Sequence, residues 1–214
     1  MRYRSVPSAL VCAAATACAG LVVTQVYAAE YLSVADSQKL MFADATEFVP
    51  MVVALNPDQL RQLAERAGGP ARMSAWRVWQ ARQGGNVLGF VVADAVIGKF
   101  ELINYAIALS PAGEIRDVEI LAYRESHGYE VRNKPWRSQF TGKSAQAALR
   151  VGDDIDNISG ATLSCTHITD GIRRIVVMAN MAPRAMPPRP PAAWDAGGYP
   201  RARHRRRAGG ARRV

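Results

Sequence analysis

The segment INYAIALSPAGEIRDVEILA, Ile103 to Ala122, sets apolar residues at alternate positions on both sides of one turn. Ile103, Tyr105, Ile107 and Leu109 share one face of an extended chain, Ser110-Pro111-Ala112-Gly113 supplies the reversal, and Val118, Ile120 and Ala122 alternate on the return. Successive side chains of a strand point to opposite faces, so this pattern predicts a hairpin with one apolar side to bury. The predicted cover is a helix from Ser164 to Asn180, where Ile168, Ile172, Ile175, Val176 and Ala179 recur at i, i+4, i+7, i+8 and i+11 and form one stripe. Upstream, Ala75 to Ala81 and Val87 to Ile97 read as strands around Gly84-Gly85-Asn86. A helix through Gln59 to Arg66 is capped by Asn56-Pro57 and stopped by Gly68-Gly69-Pro70. The predicted fold class is α+β, an antiparallel sheet with a C-terminal amphipathic helix packed on it and N-terminal helices before it.

Charge divides the chain. Its formal net charge is +9, yet the residues after Met181 hold nine Arg against one Asp, and Arg2 and Arg4 open the sequence. The part between is close to neutral and offers no basic patch, which argues against nucleic acid as a partner. The Arg-rich RARHRRR of the tail could meet an anionic membrane surface by charge alone.

Arg2 and Arg4 precede an uncharged run from Ser5 to Ala29, and Val26-Tyr27-Ala28 places small residues where a signal peptidase cuts. The expected organisation is a signal peptide over 1–28, an N-terminal helical segment over 29–73, a main domain over 74–181 and an unfolded Arg/Pro-rich tail over 182–214. The chain is expected to be periplasmic or otherwise extracytoplasmic, with the leader as a membrane anchor if it is not cleaved. Cleavage after Ala28 removes Cys12 and Cys18 and leaves Cys165 alone, so no intramolecular disulfide can form. Three scattered histidines and one cysteine give no spacing for a metal site, and no catalytic triad can be argued.

The chemistry gathers in DNISGATLSC, Asp156 to Cys165. Ser159-Gly160 supplies a tight turn, and Thr162 or Ser164 begins the predicted helix, whose free N–H groups and positive dipole end favour an anion. By itself this pattern also describes a plain helix cap.

Asp156-Asn157-Ile158-Ser159-Gly160-Ala161-Thr162 resembles the D-x-x-S/T-G-A-T motif of the FMN-binding domain family, which includes the periplasmic flavin subunits of sodium-pumping NADH:quinone reductase and of the Rnf complex. A second stretch agrees in order. Arg124-Glu125-Ser126-His127-Gly128, followed by Trp136-Arg137-Ser138-Gln139-Phe140-Thr141-Gly142-Lys143, resembles that family's E-T-P-G-L-G and W-x-x-Q-F-x-G-K. The chain departs from the family where Ser126-His127-Gly128-Tyr129-Glu130 replaces T-P-G-L-G.

The resemblance implies FMN joined to Thr162 by a phosphoester, installed after export by a flavin transferase that uses FAD. It implies a cofactor site of Asp156, Ser159, Gly160, Ala161, Thr162, Leu163 and Ser164, with His127, Gly128, Tyr129, Trp136 and Lys143 around it. The implied function is an electron carrier between a membrane redox partner and an extracytoplasmic acceptor, with no substrate-turnover site of its own. A second class of function stays open, a non-redox exported module that binds a flavin or phosphate ligand non-covalently. Tyr129, Trp136, Phe140 and Leu163 read either as flanks of a flavin ring or as core. His127 reads as a donor or as a solvated loop residue, Cys165 as a thiol favoured by the helix start or as buried, Lys143 as a phosphate contact or a turn residue, and His167 as solvent-facing.

Overall fold

The structure, a computed structural model, describes residues 29–181. The expected signal peptide and Arg-rich tail lie outside the described residues. The elements run β1 (Ala29–Glu30), α1 (Val34–Met41), β2 (Glu47–Ala54), α2 (Pro57–Ala67), β3 (Ala75–Gln83), β4 (Asn86–Ile97), β5 (Leu102–Leu109), β6 (Ile115–Tyr123), α3 (Lys134–Arg137) between two 3₁₀ turns at Tyr129–Arg132 and Ser138–Phe140, and α4 (Thr162–Met181). The strands form one antiparallel six-stranded sheet in the order β1-β6-β5-β4-β3-β2. The α+β class read from the pattern is the class observed. Among the described residues, no helix is long and apolar enough to cross a membrane.

The predicted hairpin is β5–β6, and its alternating residues Ile103, Tyr105, Ile107, Leu109, Val118 and Ile120 are all buried. They meet Ile168, Ile172, Ile175 and Val176 of α4 in the larger core. The opposite face is also covered, which the alternation did not reveal. Ala106, Ala108 and Leu121 pack with Ala81, Val91, Met41 and Phe42 in a second cluster beneath α1 and the residue that ends it. Alanines at 106 and 108 read as neutral positions in a sequence, but they leave room for a helix to approach.

The expectation of a helical segment over 29–73 needs correction. It holds α1 and α2, but Glu47–Ala54 between them is β2, paired along its full length with β3. Pro50 within it hid the strand, because proline lacks a ladder donor. β2 lies at the sheet edge, where one side of the ladder is open and a proline is tolerated. Asn56 caps α2 as expected, in a reciprocal box with Gln59, and Gly68 ends it at φ 74°.

Beneath the middle of α4, the buried Tyr105 donates its hydroxyl to Asp94 at 2.9 Å. Burial raises the carboxyl of Asp94 above its ordinary range, against the pull of its hydrogen bonds and of Arg174 and Arg72. Burial likewise raises the Tyr105 phenol, and the carboxylate beside it adds to the effect. Gly171 makes room for this pair, since a β-carbon there meets Tyr105 Oη and Val96. Gly171→Ala gains about 1 kcal/mol of helix propensity. The added methyl overpacks the site, at a cost of roughly 1–3 kcal/mol, and displaces the phenol from its acceptor. The expected outcome is a net loss of stability in urea unfolding, and a gain rules out this account of the glycine.

Candidate functional site

Gly160 adopts φ 82°, a left-handed conformation open to glycine at little cost, and the chain then enters α4. Ala161 is buried, its N–H bonded to the Ile158 carbonyl at 3.0 Å, and its own carbonyl accepts from Cys165 at 2.9 Å. The helix therefore starts ahead of its apolar stripe, at Thr162 instead of Ser164. Thr162 is exposed, and its hydroxyl accepts from Asn157 Nδ2 at 3.1 Å. The first N–H groups of a helix have no intrahelical acceptor, so Thr162, Leu163 and Ser164 present donors beside an accessible hydroxyl. That arrangement fits a phosphate on Thr162.

The two sequence motifs meet in space. Trp136 Nε1 donates to the Asp156 carbonyl at 2.8 Å, and Gln139 Oε1 accepts from the Asp156 N–H at 2.8 Å. Both backbone groups of Asp156 are thus held by one short turn, while its carboxylate stays exposed. Gln139 was not among the expected site residues, although its i+3 spacing from Trp136 places the two on one side of a helical turn. Arg137, between them, anchors the turn to β6 by an ion pair with Glu119 at 2.5 Å and a bond to the Val118 carbonyl. Trp136→Phe leaves the Asp156 carbonyl without its partner, a loss on the order of 1–3 kcal/mol. Hydrogen exchange is expected to rise across 155–162 before it rises in the sheet, and an unchanged profile there refutes the clamp.

The loop after β6 packs on the same segment. Gly128, at φ 85°, faces Ala161 so closely that a β-carbon on it strikes the Ala161 methyl and Tyr123 Oη. Tyr123 donates its hydroxyl to the His127 carbonyl at 2.5 Å and lies 3.1 Å from Ser164 Oγ. The Tyr123 phenol is raised, chiefly by burial. Glu125 accepts from the N–H groups of Phe100 at 2.7 Å and Glu101 at 3.0 Å, which ties this loop to the β4–β5 turn. What burial it has opposes its charge, but backbone donors and Lys99 together hold the carboxyl below its usual range.

The expected ring neighbours separate into two groups. Tyr129 and Leu163 are exposed, at 60% and 46%, and free to lie against a bound group. Trp136 and Phe140 are buried and meet edge to face with centroids 5.2 Å apart, so both serve the core. Ser159 is exposed, as is His127, whose carbonyl is the Tyr123 acceptor. Ser164 is buried against Tyr123. Lys143 pairs with Asp154 at 3.1 Å, and Asp154 also accepts from the Leu149 and Arg150 N–H groups, so this lysine closes a loop. Cys165 is fully buried, and burial raises its thiol, contrary to the activation a helix start can give. His167 bonds the Ile97 carbonyl through Nδ1 at 2.6 Å and docks α4 on the β4–β5 turn, where a solvent-facing ring was the expectation.

Comparison with known proteins agrees with the reading of the motifs. Residues 98–177, which include both motifs, match the FMN-binding domain. A subunit of the proton-translocating ferredoxin:NAD(+) oxidoreductase complex from Clostridium ljungdahlii is 27% identical over 132 residues, which cover 58% of this chain and 71% of that relative. The crystal structure of Shewanella oneidensis NqrC aligns with a TM-score of 0.41 and 17% identity, over 63% of this chain and 80% of that one. The paired motifs, brought together around the start of α4, both lie in the stretch that matches the FMN-binding domain, so residues 98–177 are similar to that domain.

Proposed function

We propose that this protein is an exported electron-transfer flavoprotein that carries FMN as a phosphoester on Thr162 and exchanges electrons with a membrane redox partner. The observation that carries the reading is the exposed Thr162 hydroxyl at the start of a 20-residue helix, inside the segment that Trp136 and Gln139 hold in place. Its likeness to a component of a ferredoxin:NAD(+) oxidoreductase complex supports flavin-dependent electron transfer of the same broad type.

When bound, FMN supplies one- and two-electron redox chemistry. The residues of this chain have simpler tasks. The N–H groups of Thr162, Leu163 and Ser164 offset phosphate charge, and Tyr129 and Leu163 offer apolar surface for the ring. Replacement of the family's proline and leucine by His127 and Tyr129 places an imidazole and a phenol in the adjoining loop, which makes it more polar. A covalent link suits an extracytoplasmic site, because a dissociated cofactor there has no local synthesis to replace it. The flavin transferase acts on Thr162 after export, and the leader over 1–28 directs that export.

Intact mass and visible spectrum test the reading. Protein secreted by a host with the transferase is expected to exceed the apoprotein by one FMN less water, and its yellow colour should survive denaturation and filtration. Colour that is fully lost on unfolding supports the non-covalent module instead. Protein made in the cytoplasm without the leader should be colourless unless the transferase is supplied there.

A further inference from the structure

The turn that joins β4 to β5 is held against the start of α4 from two sides. His167 lies about 7.5 Å along the helix axis from Thr162, and its Nδ1 is 2.6 Å from the Ile97 carbonyl oxygen and 3.1 Å from that of Gly98. From the other side, the Glu125 carboxylate accepts from the N–H groups of Phe100 and Glu101. Glu125 belongs to the loop whose Gly128 packs on Ala161, immediately before Thr162. Gly98 leaves room for this lock, since a β-carbon there meets Glu125 Oε1 and Ile103 Cδ1. The turn is thus fixed to both segments that flank Thr162.

What this fixed turn presents is an aromatic ring. Phe100 is 73% exposed, more than any other large apolar side chain among the described residues, and Lys99 Nζ lies 4.9 Å from the centroid of its ring. Leu163, four residues before His167, shares that side of α4 and stands one helical turn nearer to Thr162. Eight large apolar side chains are exposed among the described residues. Five of them, Ile97, Phe100, Leu102, Tyr129 and Leu163, lie on this turn and its strand ends or on the segments that flank Thr162. Apolar side chains scattered singly over a surface need no explanation, whereas a gathering of them marks a place where something binds.

We propose that the β4–β5 turn is part of the flavin site: the isoalloxazine ring of the FMN on Thr162 lies across Leu163 onto Phe100, and the Lys99 ammonium is the cation that tunes it. The inference rests on attachment at Thr162 and adds where the ring goes. A flat π-system finds its best apolar partner in an aromatic face, and here that face is held still by Glu125 and His167. A flavin gains negative charge when it is reduced, so an ammonium beside the ring favours the reduced form and raises the midpoint potential.

Flavin fluorescence tests the placement, because an indole in contact with an excited flavin quenches it and a phenyl ring does not. The full chain, loaded in a host with the transferase, is compared with Phe100→Trp and with Val87→Trp, a change near the far end of β4, about 33 Å from Ile97 along the strand. Both positions are exposed, so neither change disturbs the core. A several-fold loss of fluorescence in Phe100→Trp alone is the expected result. Equal fluorescence in all three proteins, or equal loss in both variants, overturns the placement. Lys99→Met keeps the length of the side chain and removes its charge, and its midpoint potential is expected to fall; an unchanged potential overturns the role of Lys99. Intact mass is read on every sample. A full FMN mass gain with unchanged fluorescence overturns this inference and leaves the attachment standing, whereas no mass gain overturns the attachment and this inference with it.

Discussion

Thr162→Ala is expected to give a folded domain with no covalent FMN. The hydroxyl of Thr162 is exposed, and its one described hydrogen bond is accepted from the exposed Asn157 side chain, so its removal costs little stability. Alanine is also the better helix former at the start of α4, by roughly half a kcal/mol. A residue that acts only as a helix cap behaves otherwise: its loss costs about 1 kcal/mol and leaves flavin content untouched. The two roles therefore differ in both readouts. Equal urea midpoints with complete loss of the flavin mass support attachment at Thr162. Full covalent flavin on the Thr162→Ala protein overturns it and directs peptide mapping first to Ser159, which is exposed, ahead of Ser164, which is buried against Tyr123.

The second large effect concerns the contact that joins the motifs. Gly128→Ala places a side chain at φ 85° and drives its methyl into Ala161 and Tyr123 Oη. Left-handed backbone costs a non-glycine residue about 1–2 kcal/mol. Forced overpacking adds roughly 1–3 kcal/mol. Gly113→Ala separates the two costs, because Gly113 has a similar φ of 87° with open space where its β-carbon would be. The expected order in thermal unfolding is a small drop for Gly113→Ala and a drop of roughly 5–15 °C for Gly128→Ala. Flavin loading should fall for Gly128→Ala alone, since the displaced Ala161 immediately precedes Thr162. Equal drops for the two variants remove the packing argument and leave only backbone strain.

These two experiments address different kinds of information in the chain. Thr162 stands out by local chemistry, a hydroxyl after a small-residue turn and before a helical stripe, set in a motif that resembles a known family. The β5–β6 hairpin, the α4 stripe and the α2 cap were legible for the same reason. Periods of two and of 3.6 residues, and a capping box, are short-range patterns that a sequence displays directly. Strand β2 is not legible in the sequence, because the edge position that excuses Pro50 is a property of the whole sheet.

What the sequence by itself determined was the α+β class, the two motifs and the residue types needed at the start of α4. The tertiary structure alone decided how they meet. Trp136 and Gln139 grip a backbone 20 and 17 residues away, and Gly128 is a glycine because of Ala161, 33 positions later in the chain. Ala106 and Ala108 are small because α1 lies across them, and Trp136 and Phe140 are core residues because α3 and the 3₁₀ turn after it pack on β6. Each of these depends on contacts between segments far apart in the chain, and such contacts leave no periodicity in the residues that make them.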